Sequence, residues 1–208
     1  MPWKQQGISV AAMPDDWNEL LSSAHAWWLR AEPPREDRTE LVRRMLSYYT
    51  GVSPDAWNFG RSEYGKPFVQ SPPEFASLQF NFSHTPGMMV CIVSRVGGVG
   101  IDVEDTSRAS DADVEELIQN ALSPVEQARL FRLDPDARRR AFHELWVLKE
   151  AFLKARGEGL NIEPSELTIE LDIDGFELKL HEIDTNHLAA TAVSRPCSVV
   201  WRNGAALL

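Results

Sequence analysis

The sequence lacks the features of secreted, membrane-spanning and nucleic-acid-binding proteins. Its only cysteines, Cys91 and Cys197, stand in apolar, strand-like surroundings, which predicts buried reduced thiols, with a disulfide between them as the less favoured alternative. No apolar run of about 18 residues occurs, and no basic segment followed by an apolar one opens the chain, so we expect neither a membrane span nor a signal peptide. The net charge of −10 argues against general nucleic-acid binding. We therefore predict a cytoplasmic protein.

Several sequence motifs of common enzyme classes are also missing. The chain has no Walker-type glycine loop, no dinucleotide fingerprint and no nucleophile elbow. Their absence argues against a P-loop nucleotidase, a dinucleotide-dependent dehydrogenase and a covalent serine mechanism.

The order of the predicted elements indicates an α+β fold made of two similar halves. We predict helices over residues 15–30 and 36–50 and then strands over 57–61, 78–83, 88–95 and 99–104. The second half has predicted helices over 111–120 and 136–156 and strands over 166–172, 176–183, 187–194 and 198–202. We expect subdomains at 1–105 and 106–208, with a ligand site in the cleft between them.

Short local signals refine this outline. Ser123 and Glu126 have the spacing of a capping box, with Pro124 at the first helical position. Asp174-Gly175 and Gly97-Gly98 are both typical of hairpin turns.

The helix predicted near residues 142–160 carries an unusual polar face. Trp146, Lys149, Glu150, Leu153 and Lys154 recur at the spacing of one helix side. The structural alternative is an ordinary surface salt bridge between Glu150 and Lys154, worth a few tenths of a kcal/mol.

A second polar group lies on the strand predicted over residues 99–104. Asp102 and Glu104 point to the same strand face, where two carboxylates repel each other unless a cation lies between them. Oxygen ligands without a His or Cys cluster favour Mg²⁺, and Glu150 would be a third carboxylate. The alternative is a solvent-facing edge strand.

Cations that could bind phosphate groups accompany these carboxylates. They are Lys66, His84, Lys149 and Lys154, although a lone histidine is more often structural. The complete set predicts metal-assisted chemistry on a diphosphate.

The local charge reverses around the long helix. Residues 129–160 contain eight cations and five anions, a surplus of +3 in an acidic protein. Such a surface could receive an anionic ligand or an acidic partner, and Arg138, Arg139 and Arg140 are candidate docking residues. The alternative is a solvated helix face.

Taken together, four segments resemble the surfactin-synthetase-activating type of 4'-phosphopantetheinyl transferase. The segments are Tyr64-Gly65-Lys66-Pro67 and residues 80–85, 100–104 and 146–160, which are similar to the family's GKP, N-x-S-H-S, G-I-D-x-E and W-x-x-K-E-A-x-x-K-x-x-G-x-G-L segments. Thr85 replaces the second serine of its segment, and Asp105 stands where many members carry lysine.

This resemblance implies two halves related by pseudo-twofold symmetry, coenzyme A as donor and a serine of an apo acyl or peptidyl carrier protein as acceptor. Mg²⁺ would be held by Asp102, Glu104 and Glu150, and Lys154 would neutralise charge on the transferred phosphate. Glu150, or a water on the metal, would take the serine proton. Coenzyme A would also contact a set of basic and polar residues: Lys66, Ser83, His84, Lys149, Lys154, and Arg35 or Arg38.

The resemblance further implies a monomer. Two alternatives stay open. One is a module that binds coenzyme A or a carrier protein without transfer, and the other is a different Mg²⁺-dependent phosphotransferase that acts on a nucleotide.

Overall fold

The computed structural model describes residues 15–30, 38–108, 111–157, 162–170, 172–194 and 197–207. Within these ranges the helices are α1 (Asp15–Glu19), α2 (Arg38–Thr50), α3 (Asp111–Ala121), α4 (Pro124–Leu130) and α5 (Pro135–Arg156). The strands are β1 (Ser23–Leu29), β2 (Asn58–Arg61), β3 (Pro67–Ser71), β4 (Gln79–Thr85), β5 (Met88–Ser94), β6 (Val99–Asp105), β7 (Asp172–Ile173), β8 (Phe176–Glu182), β9 (His187–Ser194) and β10 (Ser198–Asn203). The predicted α+β class is confirmed.

Two four-stranded sheets organise the described part of the chain. The first sheet has the order β10-β1-β5-β4 and the second has the order β6-β9-β8-β7, while β2 and β3 form a separate pair. The β1–β10 pairing is parallel, and the other neighbours in both sheets are antiparallel.

Both sheets repeat one connectivity. In the first, β1 leads through α2 to the antiparallel β4–β5 pair, and β5 returns beside β1. In the second, β6 leads through α3, α4 and α5 to the β8–β9 pair, and β9 returns beside β6. The repetition is the one expected of two halves related by pseudo-twofold symmetry.

The two sheets pack face to face between helices. On β1, Trp27 faces the core cluster beneath α2, whereas Ala26 faces the cluster between the sheets. On β6, Ile101 and Val103 belong to the same inter-sheet cluster. Because side chains alternate along a strand, Asp102 and Glu104 lie on the opposite face of β6, which is the face toward α5.

The predicted capping box and the predicted turn at Asp174-Gly175 are confirmed. Ser123 and Glu126 form a complete capping box at the start of α4. Gly157 ends α5 in the left-handed conformation with φ of 71°. Asp174 and Gly175 take positive φ between β7 and β8. No helix in the described ranges is both long and apolar enough to cross a bilayer.

The predicted helix over residues 15–30 is wrong. Only α1 is helical there, and β1 occupies most of the rest. Six of the seven β1 residues are buried, because this strand packs on both faces. A strand buried on both faces shows no alternation of polar and apolar residues, so its pattern is easily mistaken for that of a buried helix.

Two further predictions about strands are wrong. Gly97-Gly98 does not make a hairpin, since β5 and β6 lie in different sheets. Gly98 instead passes close to α5, where an added Cβ would lie 3.3 Å from the carbonyl oxygen of Ala155. Among the described residues of the strand predicted over 166–172, only Asp172 belongs to a strand, β7. Glu166 ends a 3-10 helix and residues 167–170 are irregular.

The predicted boundary between residues 105 and 106 does not follow the sheets. β6 precedes this boundary but pairs with β9 in the second sheet. β10 follows it but pairs with β1 in the first sheet. The two halves of the sequence therefore exchange strands.

Candidate functional site

The site is built where β6 crosses α5 at very short range. A Cβ on Gly100 would lie 2.0 Å from the carbonyl oxygen of Ala151 and 2.4 Å from the amide nitrogen of Ala155. Only glycine fits this approach without a backbone shift. The approach brings the α5-facing carboxylates of β6, Asp102 and Glu104, against the polar side of α5.

Asp102, Lys154 and Ser83 meet at this crossing, from β6, α5 and β4. The Lys154 Nζ donates to Asp102 Oδ1 over 2.6 Å and to Ser83 Oγ over 3.0 Å. The Ser83 hydroxyl donates to the same Asp102 oxygen over 2.7 Å. Asp102 is only 3% exposed, so the pair is held largely away from water. The salt bridge of Lys154 is thus made to Asp102 across the fold.

Glu104 lies two residues further along β6 and is only partly neutralised. The Trp146 Nε1 donates to its Oε1 over 3.2 Å. Burial raises the pKa of Glu104 to about 7, and the charges of Asp102 and, more weakly, Glu150 add to this effect, while the Trp146 bond and Lys154 oppose it.

Glu150 stands one turn before Lys154 on α5. Burial raises the pKa of its carboxyl above the usual value; Lys154 opposes the shift and the charge of Asp102 adds to it. A carboxylate with a raised pKa accepts a proton more readily near neutral pH.

The three carboxylates suit a divalent cation in charge and ligand type. Asp102 Oδ2 is buried and has no hydrogen-bond partner among the described residues, and Glu104 is destabilised in its charged form by Asp102. Oxygen donors of this kind are those that Mg²⁺ prefers. In the described part of the chain, however, no three His, Cys, Asp or Glu side chains are arranged ready to hold a metal.

A cleft of about 330 Å³ opens beside these residues. Lys66, Glu150 and Lys154 reach it, so the structure brings these three predicted site residues together. Lys66 Nζ donates to the carbonyl oxygens of Ala155 (2.7 Å) and Val99 (3.3 Å), and burial lowers its pKa to about 8. The remaining lining residues are mostly apolar or uncharged: Arg61, Tyr64, Gly65, Pro67, Asn81, Phe82, Leu153, Gly157, Ile162 and Pro164.

The other predicted contacts of coenzyme A lie toward the first sheet or outside the described residues. His84 follows Ser83 on β4 and is exposed. Arg35 lies outside the described residues. Arg38 begins α2, and its side chain lies outside the described part.

Lys149, a predicted contact of coenzyme A, does not line the cleft. Its side chain is fully buried and pairs with Glu126 over 2.7 Å. Its ammonium also donates to the backbone carbonyls of Pro164 and Leu167. Helical spacing placed Lys149 beside Glu150, but the two side chains leave α5 in different directions.

Each of the predicted docking arginines lies beside an acidic side chain. Arg138 pairs with Glu115, and Arg140 pairs with both Glu144 and Glu182. Arg139 approaches Asp136 at 3.9 Å. The positive surplus counted along the sequence is therefore compensated in space, and the charge count no longer supports docking at these three residues.

Two site residues were missed by sequence reasoning. Asn81 is buried on β4, lines the cleft and leaves its Oδ1 without a partner among the described residues. Its position two residues before Ser83 puts both on one strand face, which was the available signal. Trp146 was noted on the polar side of α5, but its bond to Glu104 joins elements far apart in sequence.

Comparison with known proteins identifies the class. Residues 98–200, which include β6 and α5, match the model of the 4'-phosphopantetheinyl transferase superfamily. A 4'-phosphopantetheinyl transferase of Bacillus subtilis is 31% identical over 135 residues, covering 65% of this chain and 57% of the relative. The transferase Sfp of Bacillus subtilis strain 168 is 29% identical over 168 residues, covering 75% and 71%. HetI of Nostoc sp. PCC 7120 is 32% identical over 130 residues, covering 62% and 54%.

The chain belongs to the 4'-phosphopantetheinyl transferase superfamily. The family predicted from the four sequence segments is thereby confirmed. The alignments span between 54% and 71% of the length of these three relatives.

Proposed function

We propose that this protein transfers the 4'-phosphopantetheine arm of coenzyme A to a serine of an apo acyl or peptidyl carrier protein. The observation that carries the proposal is the Lys154–Asp102–Ser83 cluster at the edge of a cleft that also contains Glu150. A lysine fixed by a buried carboxylate beside an accessible carboxylate suits the charge changes of phosphoryl transfer.

The reaction exchanges one phosphorus–oxygen bond for another. The serine oxygen forms a bond to the phosphorus that carries the pantetheine arm. The bond from this phosphorus to the bridging oxygen breaks, and 3',5'-ADP leaves with the bonding electrons. The serine proton must leave at the same stage, and we assign Glu150 as its acceptor because this carboxylate lines the cleft one turn before Lys154.

Lys154 and Asp102 act as one unit in this mechanism. The ammonium of Lys154 is held by Asp102 and Ser83, so it needs little reorganisation to stabilise negative charge on the phosphate oxygens. Asp102 holds this ammonium in a fixed position inside a partly buried site.

Mg²⁺ would be held by Asp102, Glu104 and Glu150. When bound, it would neutralise charge on the diphosphate. The buried and unpartnered Oδ2 of Asp102 and the raised pKa of Glu104 support this assignment.

We assign the nucleotide part of coenzyme A to the side of the cleft formed by Lys66 and β4. Lys66 reaches the cleft, and Ser83 and His84 lie on β4 beside it. Arg35 or Arg38 is proposed for the 3'-phosphate. We further propose that the protein is a monomer. We also propose a cytoplasmic location, which the free buried thiols of Cys91 and Cys197 support.

The decisive experiment is intact-mass spectrometry of an apo carrier protein incubated with this protein, coenzyme A and Mg²⁺. We expect the carrier to gain one phosphopantetheine arm, with 3',5'-ADP as the second product. The gain should be lost with EDTA and in Glu104→Gln. Glu182→Gln is the matched control. The Glu182 carboxylate is 65% exposed on β8, so this variant should retain full activity.

Two outcomes would redirect the assignment. Binding of coenzyme A without modification of several unrelated carriers would favour the non-catalytic binding module. A product other than 3',5'-ADP would favour a different Mg²⁺-dependent phosphotransferase.

A further inference from the structure

A buried ion pair behind the cleft binds the backbone of residues 164–169, which form a 3-10 turn at Pro164–Glu166 and then run irregularly. Lys149 and Glu126 have side-chain exposures of 0% and 1%, and their charged atoms are 2.7 Å apart. The Lys149 ammonium also donates to the carbonyl oxygens of Pro164 (2.6 Å), Leu167 (2.5 Å) and Ala121 (3.3 Å). With four oxygen partners, the N–H donors of the Lys149 ammonium are all used inside the protein.

The Glu126 carboxylate binds the same segment from its other side. Its Oε1 accepts from the backbone amide of Ile169 over 2.9 Å. Its Oε2 accepts from the amide of Ser123 over 2.8 Å, which completes the capping box of α4. A capping glutamate usually serves only its own helix, whereas this one also anchors a distant loop.

Together the two side chains replace the pairing that a strand would provide. Residues 167–170 are extended in sequence pattern but irregular in structure. The backbone groups of Pro164, Leu167 and Ile169 are bonded to Lys149 and Glu126. Buried backbone groups need such partners, so the ion pair determines where this segment runs.

The segment in turn forms part of the cleft. Ile162 and Pro164 line it together with Glu150 and Lys154. Lys149 binds the carbonyl of Pro164, and it is the neighbour of Glu150 on α5. Helix α5 therefore carries the Glu150 carboxylate and, through Lys149, also fixes the Pro164 backbone in the wall of the cleft.

We propose that Lys149 and Glu126 are positioning residues that hold the Ile162–Pro164 wall of the coenzyme A cleft. Neither side chain touches the substrate; they act through the backbone of residues 164–169. This inference rests on the proposed transferase function for its kinetic test, but its structural part can be tested without activity.

The test compares Lys149→Met with the double variant Glu126→Gln/Lys149→Met. The single variant leaves the carboxylate of Glu126 buried without its cation, which is strongly destabilising. The double variant removes both charges and should recover part of the lost thermal stability. Both variants lack the ammonium that binds the Pro164 and Leu167 carbonyls, so both should misplace the wall.

We expect kcat/KM for coenzyme A to fall about tenfold in both variants, because small displacements of positioning groups are costly. Leu46→Ala, in the core under α2, is the control for a general loss of stability and should keep the wild-type kcat/KM. If kcat/KM instead follows Tm through all three variants, the pair is merely structural and the proposal is overturned.

Amide hydrogen exchange separates this inference from the proposed function. Faster exchange at Leu167 and Ile169 in Lys149→Met, but not in Leu46→Ala, supports the positioning role even if the wild type transfers nothing. Unchanged exchange at these amides overturns it. Absence of transfer by the wild type would contradict only the transferase assignment.

Discussion

Asp102 is the residue on which the candidate site depends. One of its oxygens accepts from both Lys154 and Ser83, and the other has no partner among the described residues. Such a carboxylate is costly to bury alone, so its surroundings must supply positive charge. Lys154 supplies it in this structure, and a divalent cation at Oδ2 would supply more.

Lys154→Met should therefore damage both stability and activity. Removing a partner from a buried pair leaves an uncompensated charge, and we expect a loss of about 3 kcal/mol in the free energy of unfolding. Activity should fall below detection because, in the proposed function, the same ammonium stabilises charge on the phosphate. Urea unfolding and the carrier-modification assay would measure the two effects.

Lys179→Met provides the control for this prediction. Lys179 also pairs with a carboxylate, Glu177, over 2.8 Å, but its side chain is 52% exposed. Its loss should change the free energy of unfolding by less than about 1 kcal/mol. Equal effects of the two substitutions would show that the Asp102 pair is not special.

His25 makes the stability of the protein depend on pH. Its side chain is fully buried and its ring nitrogens contact Tyr49 and Ser23. Burial lowers the pKa of His25 from 6.5 to about 4, with the charge of Arg202 adding to the shift. Between these two pH values His25 binds a proton in the unfolded chain but not in the folded chain. The free energy of unfolding should therefore fall as the pH drops through this window.

His25→Gln should flatten that pH dependence, although it lowers stability at neutral pH. Urea unfolding at a series of pH values between about 4 and 6.5 would measure the slope. Leu46→Ala, which lowers stability in the neighbouring core cluster but removes no titratable group, should keep the wild-type slope. An unchanged slope in His25→Gln would assign the acid sensitivity to other groups.

At the scale of elements, α5 was predictable because its signals are local. Asp134 caps its start, Gly157 ends it and the helical spacing runs between them. β1 was not predictable, because the same apolar residues suit a strand buried on both faces. Residues 166–172 have a strand-like pattern, but the carbonyl of Leu167 and the amide of Ile169 bond to the side chains of Lys149 and Glu126. No local pattern reveals such partners.

The candidate site was likewise predictable where local patterns decide it and unpredictable where tertiary packing does. The alternation along β6 placed Asp102 and Glu104 on one face, and helical spacing placed Glu150 and Lys154 on one side of α5. Whether these two surfaces meet depends on the short approach at Gly100. That approach is a tertiary property, and the pairing of Lys149 with Glu126 instead of a phosphate is another.

Gly100→Ala should test the approach of β6 to α5. The added methyl group would lie 2.0 Å from the Ala151 carbonyl oxygen, so one backbone must shift. We expect a loss of about 3 kcal/mol in stability and loss of activity through displacement of Asp102. Gly98→Ala is the graded control, since its Cβ would lie 3.3 Å from the Ala155 carbonyl oxygen. Equal stability of both variants would contradict the predicted close contact.

At the scale of the whole molecule, the halves are joined by more than a shared cleft. β6 crosses into the second sheet, and β10 returns to pair with β1 in the first. Arg30 at the end of β1 pairs with Asp184 over 2.9 Å. The rings of His181 on β8 and Trp201 on β10 stack with centroids 4.1 Å apart. These contacts link the first sheet to the second.

This exchange of strands predicts how the chain behaves when it is divided. Fragment 106–208 lacks β6, so β9 loses one of its two antiparallel partners and α5 loses the strand that it packs against. Fragment 96–208 keeps the complete second sheet. We expect 96–208 to show a cooperative thermal transition by circular dichroism and 106–208 to show none, because strand pairing and the α5 contact are lost together. If 106–208 unfolds as cooperatively as 96–208, β6 is dispensable for the second sheet, and the boundary drawn from sequence between residues 105 and 106 marks a genuine folding unit.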